Sequence, residues 1–200
     1  MIPEHPVRAA VLSAMATVAA ASLAACGGDD PSSGGRGISN APYKGGVSRV
    51  PESERQEPEG PIRGMTLHGR ELDVADFRGE VVVINVWGSW CPPCRAEAPY
   101  LDNVARDMKS KGVRFVGINT RDGEKAPAKA FEEEYDISYP SLYDPAGKLL
   151  LSAFPKGTLN TQALPVTLTL DREGRIAGRA LGGVDEAKLR SMIDPLLEGD

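Results

Sequence analysis

Two cysteines separated by two residues are the side chains of this sequence best suited to chemistry. Cys91 and Cys94 lie in the stretch "INVWGSWCPPCRAEAP", after an apolar run and before a predicted helix. Such a pair could bind a metal, cross-link a loop or transfer electrons. A zinc or copper site needs further ligands, most often histidine. The chain has only His5 and His68, neither of them after Cys94, so the sequence predicts no metal site.

The position of the pair favours redox chemistry over a structural cross-link. Closing so short a loop constrains the unfolded chain very little, because the entropic gain grows with loop length. Cys91 falls where a predicted buried strand ends and a helix begins, so its sulfur faces the positive end of the helix dipole, which lowers a thiol pKa. Cys94, one turn further on, lies on the same face and could attack a mixed disulfide. Pro92 suits the first helical position. We therefore interpret the pair as a redox-active dithiol.

The elements that must position this pair follow from the hydrophobic pattern. The run Glu80–Trp87 is β-branched and nearly all apolar, which predicts a strand buried on both faces. The other predicted elements, in chain order, are a helix at Pro92–Lys111, a strand at Val113–Thr120, a helix at Lys125–Tyr135, strands at Leu164–Asp171 and Gly174–Gly182, and a helix at Asp185–Leu197 capped by Asp185. This order predicts an α/β fold of three layers, with a central mixed β-sheet and helices on both faces.

The N-terminal residues have the pattern of an export signal. An alanine-rich, uncharged run of 17 residues precedes Cys26, and it is shorter than the roughly 20 residues that a spanning helix needs. The stretch "LAAC" (Leu23–Cys26) resembles the bacterial lipobox, in which the cysteine is lipidated. We expect residues 1–25 to be a lipoprotein signal peptide and Cys26 to anchor the protein to the outside of the bacterial cell membrane. The alternative is an uncleaved anchor with an incidental cysteine.

The residues after Cys26 have the composition of a linker. Of the 34 residues in Gly27–Gly60, 17 are Gly, Pro or Ser, and the few apolar residues show no period. Such a segment buries too little apolar surface to offset the entropy of ordering it. We expect residues 26–60 to form a disordered tether and Pro61–Asp200 to form the folded domain.

Longer motifs resemble a known family. "WCPPC" after an apolar strand, Pro99, and the later "ALPVTLTLD" resemble the thioredoxin fold. The phrase "VVINVWGSWCPPCRAEAP", preceded by "LDVADFRGE", resembles more particularly the TlpA/ResA family of membrane-tethered thiol–disulfide oxidoreductases. The resemblance extends over Pro61–Leu197 and implies a thioredoxin-like domain with thiol–disulfide oxidoreductase activity.

The resemblance also implies roles for single residues. Cys91 would be the exposed nucleophile and Cys94 the buried cysteine that resolves the mixed disulfide. Pro165 would be a cis-proline facing the dithiol, where it leaves the backbone of Leu164 free to pair with an extended substrate. Trp90 would flank Cys91 as an apolar contact surface for the substrate.

Two positions near the dithiol differ from cytosolic thioredoxins. Six residues before Cys91 those proteins carry a buried aspartate, whereas this chain has Asn85, which cannot titrate. Glu97 matches an acid typical of the TlpA/ResA family. Its spacing of three residues from Cys94 puts both on one helical face, so Glu97 could accept the proton of Cys94, with a pKa raised toward neutrality by burial. The alternative is a solvent-exposed helix glutamate. Trp87 is predicted to be a core residue.

The implied partners are protein thiols and disulfides. By resemblance, a membrane electron donor keeps the domain reduced, and the domain reduces apocytochrome c thiols before haem attachment. The prolines at both positions between the cysteines remove N–H donors that would stabilise a thiolate, which also favours a reductant. The opposite direction, a thiol oxidase that forms disulfides in secreted proteins, stays open.

Functions outside dithiol exchange have less support in the sequence. A peroxidase of related fold needs a threonine or serine where this chain has Gly88, and a copper carrier needs the missing histidine. No cofactor is expected. The net charge of −5 argues against nucleic acid as a partner.

Overall fold

The computed structural model describes residues 43–44, 46–154, 158–159 and 163–199. The predicted signal peptide, Cys26 and the first part of the predicted tether lie outside these residues. The described strands are β1 (Tyr43–Lys44), β2 (Val47–Arg49), β3 (Arg63–Met65), β4 (Glu71–Asp73), β5 (Val81–Trp87), β6 (Val113–Thr120), β7 (Ser141–Asp144), β8 (Val166–Leu170) and β9 (Ile176–Leu181). The helices are α1 (Pro92–Met108), α2 (Lys125–Glu134), α3 (Lys148–Ala153) and α4 (Glu186–Glu198), with short 3₁₀ turns at Glu52–Glu54, Val74–Phe77 and Lys109–Lys111.

Seven strands form one mixed sheet in the order β1-β2-β9-β8-β5-β6-β7, and β3 pairs with β4 in a separate hairpin. β5, β6 and β7 run parallel to one another, whereas β8 and β9 are antiparallel to their neighbours. β5 lies between β8 and β6 in the sheet, and every residue of β5 is buried. The continuous apolar run of β5 is explained by this position, because both of its faces are covered.

Side chains alternate between the two faces of β5. Val81 and Val83 pack with α1 and α4 in one apolar cluster, whereas Val82, Ile84 and Val86 pack with α3 on the other face. The predicted three-layer α/β fold is therefore confirmed. The predicted cap of the last helix is also present, since the Asp185 side chain accepts a hydrogen bond from the Lys188 N–H at 2.8 Å.

The prediction that the tether extends to Gly60 is wrong for the residues from Val47 onward. β2 pairs antiparallel with β9. Val50 is 4% exposed, lies in the core, and donates its N–H to the Ala177 carbonyl at 2.8 Å. The physical reason is that β8 pairs with only one side of β9, so the backbone groups on the other side of β9 can pair with a segment that has little hydrophobic pattern.

Other short elements were also not predicted from the sequence. They are the β3–β4 hairpin, the four-residue strand β7 and the six-residue helix α3. Each is too short for a period of hydrophobic residues to stand out. Within the described part of the chain, no helix combines the length and the hydropathy that crossing a membrane requires.

Candidate active site

Cys91 and Cys94 form a disulfide at the first turn of α1. Cys91 is the N-cap residue, and its sulfur accepts a hydrogen bond from the Cys94 N–H at 3.3 Å. Pro92 and Pro93, the first two helical residues, have no N–H to donate. The Cys94 N–H and the helix dipole are therefore the backbone features of α1 that can stabilise a Cys91 thiolate.

The expectation that Cys91 is exposed is wrong for the disulfide form. Cys91 is 2% exposed and Cys94 is 1% exposed. Both sulfurs belong to an apolar cluster that includes Trp87, Ala98 and Phe131. Burial therefore does not distinguish the two cysteines; they differ in that Cys91 caps the helix and Cys94 lies within its first turn.

The segment before Cys91 presents one large aromatic side chain. Trp90 is 48% exposed, whereas Trp87 is buried, as predicted, and stacks on Phe131 with ring centroids 4.4 Å apart. A Cβ atom at Gly88 would lie 2.7 Å from Nε1 of Trp90. A threonine or serine at that position would therefore require the Trp90 ring to move.

Ser89 is anchored through all three of its polar groups. Its hydroxyl and its N–H donate to the two carboxylate oxygens of Asp122 at 2.6 and 2.9 Å, and its carbonyl accepts from Arg95 at 3.1 Å. Asn119 donates a further hydrogen bond to Asp122 at 2.6 Å. Asp122 therefore fixes the segment that leads into Cys91.

Sequence reasoning missed Asp122. The sequence did contain a signal for it, because Asp122 follows just after β6. β6 pairs parallel with β5, and Trp87 at the end of β5 is paired with Asn119. Residues that follow neighbouring parallel strands meet at the same edge of the sheet, which is where such folds place their sites.

Glu97 is a buried acid, not a solvent-exposed helix residue. It is 2% exposed, and its carboxylate accepts hydrogen bonds from the Asn85 side-chain amide at 2.8 Å and from the Val184 N–H at 2.9 Å. Burial raises the pKa of Glu97 from 4.5 to about 7, although both hydrogen bonds and the charge of Lys188 oppose the shift. This rise has the direction expected from the sequence.

Asn85 is a partner of this acid. Its amide donates to Glu97 and, at 3.3 Å, to the hydroxyl of Thr167. Asn85 lies on β5 and Thr167 on β8, paired across the sheet, while Glu97 reaches them from α1. Glu97 therefore supplies the buried acid in this region, and the amide of Asn85 orients its carboxylate.

The Leu164–Pro165 peptide bond is cis, as predicted. Leu164 packs against the apolar cluster that contains both cysteines. The structure therefore brings Leu164 together with Cys91 and Cys94. Trp90 adjoins Cys91 in the chain, and Cys26 lies outside the described residues.

His68 lies in the turn after β3. Its Nε2 atom is 2.9 Å from the Glu132 carboxylate, and its side chain is half-exposed. Within the described residues, no group of three or more His, Cys, Asp or Glu side chains is placed to hold a metal ion.

Comparison with known proteins agrees with this geometry. The redoxin family profile matches residues 48–193. The chain is 28% identical to the thiol-disulfide oxidoreductase ResA of Bacillus cereus over 130 residues, which is 65% of this chain and 71% of ResA. It is 34% identical to the thiol:disulfide interchange protein DsbE of Pseudomonas aeruginosa over 129 residues, covering 64% of this chain and 66% of DsbE.

Solved structures give the same result. A DsbF homologue from Corynebacterium diphtheriae superposes with a TM-score of 0.69 at 34% identity, covering 77% of this chain and 95% of the homologue. A secreted thiol-disulfide isomerase from Corynebacterium glutamicum superposes with a TM-score of 0.72 at 29% identity, covering 80% and 96%. The chain belongs to the redoxin family and, within it, to the ResA/TlpA-like thiol–disulfide oxidoreductases of thioredoxin fold.

Proposed function

We propose that this thiol–disulfide oxidoreductase reduces protein disulfides outside the cytoplasm. The observation that carries the proposal is the arrangement on α1, where the Cys91–Cys94 pair occupies the first turn and buried Glu97, with a pKa of about 7, follows one turn later. A dithiol in this setting can give two electrons to a substrate disulfide, and a carboxylate with this pKa can accept a proton at neutral pH.

The reaction takes two steps. The Cys91 thiolate attacks one substrate sulfur, which forms a mixed disulfide and releases the other substrate sulfur as a thiolate. Cys94 then gives its proton to the Glu97 carboxylate and attacks the Cys91 sulfur, so that the Cys91–Cys94 bond forms and the second substrate thiolate leaves. The substrate gains two electrons and leaves as two thiolates, which take up two protons from solvent. Glu97 returns the proton of Cys94 to solvent, and the dithiol has become a disulfide. Leu164, beside cis-Pro165, pairs with the extended substrate backbone, and Trp90 contacts it.

The direction of electron flow follows from the weak stabilisation of the Cys91 thiolate. A strongly stabilised thiolate makes a dithiol hard to oxidise, and its disulfide is then an oxidant. In this helix Pro92 and Pro93 remove two of the N–H groups that could face the sulfur, and the Cys94 N–H is the donor that reaches it. This arrangement favours the disulfide over the thiolate and therefore a reductant.

The test of direction is the midpoint potential of the Cys91–Cys94 couple, measured by equilibration with thiol buffers and quantification of alkylated dithiol. We expect a value nearer to the about −270 mV of thioredoxin than to the about −120 mV of the oxidant DsbA. A potential near the latter value would favour the alternative, a thiol oxidase for secreted proteins.

The proposed location rests on the N-terminal sequence and on one relative. The "LAAC" stretch that ends at Cys26 fits lipidation, and the similar Corynebacterium glutamicum isomerase is described as secreted. We expect Cys26 to carry lipid and to hold the domain at the outer face of the cell membrane. Metabolic labelling with a fatty acid tests this, because Cys26→Ala should abolish the label. Retained label at an unchanged cleavage site would contradict it.

The proposed substrates are disulfides of exported proteins, with apocytochrome c as the specific proposal and a membrane protein as the electron donor. A Cys94→Ser variant keeps the attacking cysteine and lacks the resolving one, so it should accumulate mixed disulfides through Cys91. Mass spectrometry of the trapped partners from membranes identifies them. Absence of c-type cytochromes among them would contradict the specific proposal and leave the general reductase function standing.

A further inference from the structure

An arginine of unusual backbone conformation lies against the aromatic residue that precedes Cys91. Arg121, the residue after β6, is exposed and has φ 59°, in the left-handed region. Its guanidinium carbon lies 4.5 Å from the centroid of the Trp90 ring. Positive φ is uncommon for a residue with a side chain, and such strained positions persist where the surrounding structure holds them and are frequent at functional sites.

The residue after Arg121 holds this conformation. The buried Asp122 carboxylate takes hydrogen bonds from Ser89 and Asn119, and its carbonyl oxygen accepts one from the Tyr143 hydroxyl at 3.0 Å. Arg121 therefore lies between a central strand and an anchored residue. The same carboxylate positions Ser89, the neighbour of Trp90, so the arginine and the ring are held against each other by one set of contacts.

The guanidinium of Arg121 has no acidic partner among the described residues. Nearby Arg95 also lies over aromatic rings, yet it donates to the Glu134 carboxylate at 2.6 Å and to the Ser89 carbonyl. The Asp122 carboxylate is engaged by Ser89 and Asn119. An arginine that stacks on an aromatic ring can still donate from the N–H groups in the plane of its guanidinium. The spacing of these groups matches the two oxygens of a carboxylate.

We propose that Arg121 is a specificity-determining residue that binds a carboxylate of the substrate polypeptide, from a Glu or Asp beside the reactive cysteine. Trp90 holds the Arg121 guanidinium near Cys91, and the substrate carboxylate accepts hydrogen bonds from the N–H groups of Arg121. The preferred substrates are therefore disulfides flanked by acidic residues. This inference rests on the proposed reduction of protein disulfides.

The test compares three peptide disulfides that are identical except for Glu, Gln or Lys next to the cysteine. Reduced parent protein and an Arg121→Gln variant are each mixed with every peptide, and the second-order rate of protein oxidation is followed by quenched flow and alkylation. The quantity compared is the ratio of the Glu rate to the Gln rate. An effect of Arg121 on the Cys91 thiolate, or of Glu on the peptide thiol, cancels when this ratio is compared between the two proteins.

We expect the parent to prefer the Glu peptide by about threefold to fivefold, the upper part of the range of an exposed ion pair, with the Lys peptide slowest. The preference should shrink at about 1 M salt, where screening acts within about 3 Å. In Arg121→Gln the Glu and Gln peptides should react at nearly equal rates. Arg172→Gln is the matched control, because Arg172 is exposed in the turn between β8 and β9, beyond the end of β8 that is remote from Pro165.

The outcomes separate this inference from the proposed function. Equal rates for the Glu and Gln peptides in the parent, or a preference that survives Arg121→Gln, would overturn the role of Arg121 while the reductase activity stands. If the parent reduces none of the peptides, the proposed function fails and the inference fails with it. Unchanged thermal unfolding of Arg121→Gln shows that a lost preference does not come from a damaged fold.

Discussion

Replacement of Glu97 by glutamine should slow the resolution of the mixed disulfide and leave the first attack by Cys91 nearly unchanged. Cys94 is buried, and a buried thiol resists ionisation. Glu97 lies on the same helical face, and its carboxylate keeps lone pairs beyond those used by Asn85 and Val184. Glutamine retains the size and one acceptor oxygen of glutamate but cannot take a proton at neutral pH.

The magnitude follows from the pKa of about 7. About half of the Glu97 carboxyl groups are ionised at that pH, and roughly a tenth are ionised one unit lower. Resolution in the parent should therefore rise about tenfold between roughly pH 6 and pH 8 and then level off. Loss of a general base typically costs 10²–10⁴-fold, so slowing of at least about tenfold is a cautious floor for Glu97→Gln. The deficit should shrink at high pH, where hydroxide replaces the base.

Stopped-flow exchange with a disulfide peptide separates the two steps, because the attack depends on peptide concentration and the resolution does not. Glu133→Gln, a change at an exposed glutamate of α2, is the matched control and should behave like the parent. Two results would refute the reasoning: resolution in Glu97→Gln as fast as in the parent at every pH, or a parent profile without an inflection near pH 7.

Three further predictions follow from the same structure. Because the folded-state pKa of Glu97 is raised from 4.5 to about 7, its contribution to stability is greatest below the lower value and is lost as pH rises to the higher one. The parent should therefore lose about 3 kcal/mol relative to Glu97→Gln over this window, as measured by urea unfolding at several pH values, and parallel curves would contradict this. Asn85→Ala removes a hydrogen bond that lowers the pKa of Glu97, so the inflection of the resolution rate should move upward by about one unit, and an unmoved inflection would exclude this contact. A chain that begins at Pro61 lacks β2 and buried Val50 and should be less stable by about 3 kcal/mol or more than one that begins at Tyr43, whereas equal midpoints of unfolding would restore the tether prediction.

Several parts of this protein could be predicted from the sequence because their causes are local. The apolar run of β5, the position of Cys91 before a helix-starting proline and the Asp185 cap are all properties of neighbouring residues. Hydrophobic period, capping and helix-start chemistry act within one or two turns, so they can be seen without knowing the fold. The motif around the cysteines also carried the family resemblance, and with it the cis peptide bond before Pro165.

The properties that tune the site depend on residues far apart in the chain. Glu97 is buried against Asn85 and against the N–H of Val184, which is 87 residues away. The spacing of Glu97 from Cys94 on α1 does not by itself determine whether Glu97 is buried. Asp122 meets Ser89 across 33 residues because β5 and β6 are parallel neighbours. β2 joins the sheet because it pairs with the side of β9 that β8 leaves open. No residue pattern within Gly27–Gly60 indicates this pairing. Desolvation and backbone pairing are set by what the fold packs against a residue, and so only the tertiary structure decided them.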